Sequence, residues 1–505
     1  MGANERRVKH RSNLSRCVTL TWRKSMPKIE HIVVLMLENR SFDHIFGFRP
    51  NVNGLKGNEF NLLDPSEPES AANPAFTVDN DAPFAVLAGN GPGHSVNATN
   101  YQLVNDKAGP SAALPPSNDG FVRNYRDELI HDHVSNPPPA TLRVVMQSFS
   151  AASLPSINAL ADAFCVCDNW FSEVPGPTQP NRFYMHAATS AGFALNNWKR
   201  VLDVRTIYNA LEDAGCTWAT YAFDSNEVLE FSQVSGKKEN FKLFDGAFKA
   251  DVDAGTLANY SFIIPRFFNS KNAIAPTGGL ANSQHAPQDA RYGDNLVADV
   301  YEALRSNPDL WAKSALIVTY DEHGGFYDHV APPSPVRNPD GLTSPMAGDP
   351  SFAPTFAFDR LGVRVPAVIA SPWVKAQWVD STRYQHTSVL ATLNKLFGFS
   401  APLTERDGSA NSFDTLFDGM DAPRTDTPAT LPRASLPQIT VAADDPRHPA
   451  NQPLDPDQRD MLMRIYHLTQ SSQPATLTAA SLPVTQGEAH DFIRAAYQRH
   501  FGVAG

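Results

Sequence analysis

An α/β fold with a mostly parallel central sheet flanked by helices is predicted by three features of the sequence. Short apolar runs rich in branched residues recur along the chain. Several are separated by segments with helical periodicity, the pattern of a sheet covered on both faces. Two of the runs end in doublets of oxygen donors, where open α/β sheets place their ligands.

In chain order, the clearest runs are IVVLML (Ile32 to Leu37), SFIIP (Ser261 to Pro265), ALIVTY (Ala315 to Tyr320) and VPAVIASP (Val365 to Pro372), with AFCVCDNW and CTWATYAF as further strands. RTIYNALEDAG predicts a helix closing on Gly215, and YGDNLVADVYEALRSNP one closing at Asn307-Pro308. Residues 48–145 are dominated by Asn, Pro, Gly and Asp without a lasting period, which predicts a loop-rich cap insertion. Residues 401–457 read as a Pro-rich extension, followed by two amphipathic helices within 456–505 that pack on the core. The catalytic unit is thus expected at 27–400, behind a disordered or non-native leader at 1–26.

Composition narrows the function. Of 505 residues 42% are hydrophobic and 19% charged, as in a globular protein. Proline reaches 41 of 505, well above the usual ~5%, and predicts long ordered loops. A formal charge of −11 argues against nucleic acid as a partner. Four cysteines, Cys17, Cys165, Cys167 and Cys216, have neither disulfide-scaffold nor zinc-module spacing. No run approaches the ~18 apolar residues of a membrane span. The basic leader lacks the apolar region of an export signal, which leaves location open: the cytoplasm by default, export if Met26 or another residue is the true start.

The chemistry follows the strands. Glu38 and Asn39 come after the first run; Asp321, Glu322 and His323 come after ALIVTY. Singly, these residues have structural explanations: Asn39 or Asp321 as a helix cap, Glu38 as a partner of Arg40. Together, three carboxylates and an amide at one sheet edge call for a divalent cation, because like charges at close range raise one another's pKa. Thr178, in PGPTQPNR, is expected just ahead of a helix whose first residue is Pro180. It reads equally as an N-cap or as a nucleophile favoured by the helix dipole, with Arg182 as a phosphate contact. His94, His285 and His386 fall between strands within reach of the same edge, whereas His31, His44, His186 and His329 read as structural or orienting.

Three blocks, IEHIVVLMLENRSFDHIFG, EVPGPTQPNRFYMHAATSAG and TYDEHGGFYDHV, resemble the signatures of the bacterial phosphoesterase family, with similarity from about residue 27 to 400. That family holds phosphatidylcholine-type phospholipases C and AcpA-like acid phosphatases within the alkaline-phosphatase-like superfamily. The resemblance implies a metal site of Glu38, Asn39, Thr178, Asp321 and Glu322. It also implies Thr178 as nucleophile, and His94 and His285 as phosphate-binding or acid residues, with His386 and Arg182 as weaker phosphate contacts. The implied cofactor is one or more of Zn²⁺, Mn²⁺, Ca²⁺ or Mg²⁺, and the implied substrate a phosphate ester, possibly a phospholipid. The readings carried forward are a phospholipase C-type hydrolase, a broad acid phosphatase and a non-catalytic phosphate- or metal-binding protein. A C-terminal region of mixed loop and helix, rather than β-rich domains, is closer to the acid-phosphatase branch. A sulfatase reading is weaker still, because PGPTQPNR lacks the Cys/Ser-x-Pro/Ala-x-Arg segment.

Overall fold

The computed structural model describes residues 28–86, 88–105, 116–196, 201–271, 279–344, 356–472 and 477–502; the expected leader lies outside them. The apolar runs assemble into an eight-stranded sheet. Its strands in chain order are β1 (His31–Leu37), β2 (Cys165–Cys167), β3 (Trp218–Ala222), β4 (Phe241–Leu243), β5 (Tyr260–Ile264), β6 (Ser314–Tyr320), β7 (Ala367–Ala370) and β8 (Trp378–Asp380). Across the sheet the order is β8-β2-β7-β6-β1-β5-β3-β4. All neighbours are parallel except β7, which runs antiparallel to both β6 and β2. Every residue of β6, and every residue of β1 after His31, is buried. Burial on both faces is why these strands read as continuous apolar runs without alternation.

Helices cover the sheet where the periodicity places them. Thr206 caps Ile207–Asp213, and Asp289 caps Ala290–Arg305, whose Leu296, Val297, Val300, Tyr301 and Leu304 are buried. The extension from 401 runs across the latter helix: the Tyr301 hydroxyl donates to the Pro428 carbonyl at 2.6 Å, and Arg433 pairs with Asp299 and Glu302. It leads into the helices Pro456–Leu468 and Gln486–Phe501, whose Leu462, Ile465, Ile493 and Ala496 join the main core. Among the described residues no helix is long and apolar enough to cross a membrane.

The 48–145 segment is mostly loop, with short regular elements set into it. It contains a short hairpin (Phe60–Leu62 with Ala75–Thr77) and the helices Val96–Val104 and Phe121–His131. Phe76, Phe121, Val122, Tyr125 and Leu129 give it an apolar cluster of its own. Phe121, Tyr125 and Leu129 are spaced four apart and share one helix face, a stripe short enough to be hidden by the polar residues around it.

Arg364 ties this segment to the core. Fully buried, it donates to Asp328 Oδ1 at 2.9 Å, to Asp43 Oδ1 at 3.0 Å and to the backbone carbonyls of Asn53 and Asp168. Removing one member of a buried, hydrogen-bonded charge cluster leaves the others uncompensated, at about 3–5 kcal/mol. Arg364→Ala is therefore expected to lower unfolding stability by that amount in urea titration; a change under about 1 kcal/mol would show that the cluster carries little of the fold.

Candidate active site

The register of β1 and β6 builds the site. Leu37 pairs with Tyr320, and the Asp321 amide donates to the Leu37 carbonyl at 3.1 Å, so Glu38 and Asp321 leave neighbouring strand ends side by side. Asp321 Oδ1 accepts from the backbone amides of Asn39 (3.0 Å) and Glu322 (2.7 Å), while Oδ2 is buried without a hydrogen-bond partner among the described residues. Neither Asn39 nor Asp321 caps a helix: Ser41 caps Phe42–Phe46, and Asn39 sits at φ 59° in the left-handed region that asparagine tolerates. Nor does Glu38 pair with Arg40, whose guanidinium donates to the Gln284 carbonyl instead.

Two glycines let the loops close on this point. A Cβ on Gly324, at φ 64°, would lie 2.2 Å from the Asn39 carbonyl, and one on Gly325 would lie 2.5 Å from that of Gly93. The second approach brings in His94, whose Nδ1 stands 3.1 Å from Glu322 Oε1. Glu322 Oε2 accepts from the Gly324 amide at 2.7 Å and faces His323 Nδ1 at 3.2 Å.

Thr178 is the first residue of the helix Thr178–Ala187, with Pro177 in the cap position. Pro180 is therefore the third helical residue and not the first. It fits there because the first turn of a helix needs no backbone donor, and because the Asn181 side chain fixes the preceding turn through the carbonyls of Val174, Gly176 and Pro177. The Thr178 hydroxyl caps nothing; it donates to Asn39 Oδ1 at 3.3 Å.

Two expected phosphate contacts lie elsewhere. Arg182 is wholly buried beneath the carboxylates, bonded to Glu227 Oε1 at 2.8 Å and to the Met36 carbonyl, and 3.9 Å from Asp321 Oδ2. His386 is also wholly buried: Trp170 donates to its Nδ1, so its Nε2 carries the proton and donates to the Asp321 carbonyl at 2.7 Å. Burial pushes it down to about 4, and it stays neutral. Both residues support Asp321 from behind. His31, His44, His186 and His329 bond or pack elsewhere.

One residue at the site had no counterpart in the sequence reading. Asp457, near the start of Pro456–Leu468, places Oδ2 3.2 Å from His94 Nε2 and 3.5 Å from His285 Nε2. Its only sequence signal is the capping box of that helix, Asp455 with Gln458, which marks a helix start and says nothing of a contact across the chain. A pocket lined by Glu38, Thr178, Gln179 and His285 on one side and Asp455, Asp457 and Met461 on the other joins these groups.

The electrostatics divide the carboxylates. Burial, and then Asp321, push Glu38 up; burial, and then Glu322, push Asp321 up. Burial opposes ionisation of Glu322 as well, but His94 and His323 hold it low. Burial opposes the charge on His94 and His285, while facing carboxylates raise both, His285 to about 9. The buried, unpartnered Asp321 Oδ2 and the hard donors Glu38, Asn39 and Thr178 around it fit a divalent cation. Glu38, Asp321 and Glu322 do not by themselves form a compact donor group, whereas His94, His285 and Asp457 do, with donor atoms within 4.8 Å of one another. A further group, Asp43, Asp328 and His329, is neutralised by Arg364.

An acidic, histidine-rimmed pocket thus lies at the carboxyl ends of parallel strands, where α/β proteins bind their ligands. The model of the phosphoesterase family matches residues 29–400. The chain therefore belongs to the phosphoesterase family, and it is a hydrolase acting on phosphoric ester bonds. Non-specific phospholipase C1 of Arabidopsis thaliana is 38% identical over 431 residues, covering 81% of this chain and 74% of that protein. Phospholipase C A of Mycobacterium tuberculosis is 28% identical over 443 residues, 79% of each. Non-hemolytic phospholipase C of Burkholderia pseudomallei is 29% identical, covering 74% of this chain and 56% of that protein. A solved protein of the alkaline phosphatase superfamily from Vibrio parahaemolyticus covers 49% of this chain and 61% of its own at 12% identity, with a TM-score of 0.29, too slight a likeness to bear on function.

The raised carboxyls would set the pH behaviour of any cation bound between them. In the cation-free protein Glu38 and Asp321 hold protons above the usual carboxylate range, so binding near neutrality releases protons and weakens as pH falls. Isothermal titration with Mn²⁺ should show both effects, and Asp321→Asn should weaken binding by at least about tenfold. A flat affinity between about pH 6 and 8, or an unchanged affinity in the variant, would remove these carboxylates from the site.

Proposed function

We propose that the protein is a metal-dependent phospholipase C-type hydrolase in which Thr178 attacks phosphorus and forms a phosphothreonine intermediate. The observation that carries this reading is the Thr178 hydroxyl: at a helix start, free of any capping role and turned toward Asn39 among the carboxylates. The names of the relatives support a phosphodiester as substrate.

Glu38, Asn39, Asp321 and Glu322, with Thr178, would hold the divalent cation, which when bound supplies Lewis-acid charge stabilisation to phosphoryl and threonine oxygens. The oxygen-rich donors suit Mg²⁺, Ca²⁺ or Mn²⁺, and the nearby histidines admit Zn²⁺. The residues of the chain do the rest. Asn39 orients the Thr178 hydroxyl. That hydroxyl loses its proton to bulk water as it attacks phosphorus in line, and takes one back from bulk water when it is later displaced. The bond to the alcohol breaks, and His285 or His94 donates a proton to the departing oxygen. The neutral imidazole then takes a proton from water as water displaces Thr178 and releases the phosphomonoester. The amino end of the Thr178–Ala187 helix favours the anionic group throughout.

Purified metal-replete protein given phosphatidylcholine and, separately, p-nitrophenyl phosphate tests the assignment. Phosphocholine release is expected, and Thr178→Ala should lower it by on the order of 10³-fold or more with unchanged metal content. Inorganic phosphate as the sole product would make the protein an acid phosphatase. Substantial turnover in Thr178→Ala would remove the nucleophile assignment.

A further inference from the structure

We propose that the C-terminal extension supplies a positioning residue to the active site: Asp457 holds both His94 and His285 against the pocket through one carboxylate oxygen. The proposal rests on the hydrolase reading above, in which one of these histidines protonates the leaving group, and adds to it the residue that sets their places.

The geometry is a closed ring of contacts. Asp457 Oδ2 faces both Nε2 atoms, at 3.2 and 3.5 Å, and the two imidazoles cross nearly edge to face with centroids 5.7 Å apart. Asp457 Oδ1 accepts from Asn196 Nδ2 at 3.0 Å. Asn196 Oδ1 in turn accepts from the backbone amide of Gln179 at 3.0 Å, the residue next to Thr178. On the far side, His94 reaches Glu322. Asp457 thus links the helix of the proposed nucleophile, both histidines and the acidic cluster. The 3.5 Å contact with His285 is an ion pair and not a hydrogen bond. Among the described residues neither His285 ring nitrogen has a hydrogen-bond partner, which leaves this carboxylate as the ion-pair partner of its ring.

Surface ion pairs usually do little, but this carboxylate is held by more than its partners. Its own side chain is 30% exposed, while those of His94 and His285 are 11% and 8% exposed. Pro456–Leu468 is fixed at its start by the Asp455–Gln458 capping box and by Gln458 donating to the Phe267 carbonyl at 2.9 Å. Further along, Arg464 pairs with Glu230 at 2.7 Å, both nearly wholly buried. A rigid helix start is a better support for an orienting carboxylate than a mobile tail.

A positioning role is separated from a structural one by the alcohol that leaves. Compare phosphorylcholine diesters of p-nitrophenol, which needs little protonation to depart, and of a simple alkyl alcohol, which needs it fully. Asp457→Ala is expected to lower kcat on the alkyl ester by about a hundredfold and on the nitrophenyl ester by about threefold or less. Metal content and unfolding midpoint should stay at wild-type values. Asp457→Asn, which preserves shape but removes the charge and leaves one acceptor for the Asn196 and histidine contacts together, should show the same ester dependence with a smaller loss. Equal losses on both esters, no loss on either, or loss of bound metal would overturn the proposal. His285→Ala and His94→Ala locate the failure. If either discriminates between the esters and the Asp457 variants do not, only the role of Asp457 falls. If neither discriminates, the acid role of the histidines falls and the proposal with it.

Discussion

Three carboxylates enclosed at the ends of two neighbouring strands set the terms for what surrounds them. β1 and β6 pair so that Leu37 faces Tyr320, and this register alone carries Glu38 and Asp321 to one place, with Glu322 beside them. Two like charges 4 Å apart at an effective dielectric near 20 repel by about 4 kcal/mol. An ordinary hydrogen bond returns a net of about 1 kcal/mol. Hydrogen bonds alone therefore do not keep such a cluster ionised; nearby positive charge must.

The protein supplies that charge unevenly. Glu322 has two histidines and a backbone amide, and it is the carboxyl held low. Asp321 has two amides and the more distant Arg182, which do not overcome its burial. Glu38 has His285, Arg182 and the Ser283 side chain, which do not overcome its burial either. The remaining deficit sits between Glu38 and Asp321, facing Asn39 and Thr178, where a cation would act on a reacting oxygen. The same accounting explains Arg182. Glu227 occupies its Nε and Asp321 draws the other end, so its charge serves the cluster from below and is not presented to substrate.

Much of this was legible in the sequence because it is local or follows from strand order. The apolar runs marked the central strands, and the donors directly after them marked the sheet edge. The segments that escaped are those in which period and composition are weak: the three-residue strands Phe241–Leu243 and Trp378–Asp380, and the helix Phe121–His131 with its narrow apolar stripe. Arg182 and His386 were misplaced for another reason. Their side chains point behind the sheet edge, and orientation depends on tertiary partners, Glu227 and Trp170, that no local pattern announces. Asp457 was missed because its partner His94 lies 363 residues away.

That long separation has a mechanical consequence. Glu38, His94, Thr178, His285, Asp321 and Asp457 come from six distant segments, with no two on one helix or strand. The sheet positions Glu38 and Asp321 directly, since both follow paired strands. Thr178 opens a helix and the two histidines stand on connections, and these need cross-links of their own. The cap segment brings His94 through the Gly325–Gly93 approach, and the extension brings Asp457 through its helix anchor. Cap and extension, which share no strand of the central sheet, therefore meet each other at the pocket. The acidic edge follows from the sheet alone, whereas the side that carries His94 and Asp457 is built by both peripheral segments. The parts of the chain least like the core in composition thereby hold the half of the site that the core cannot build.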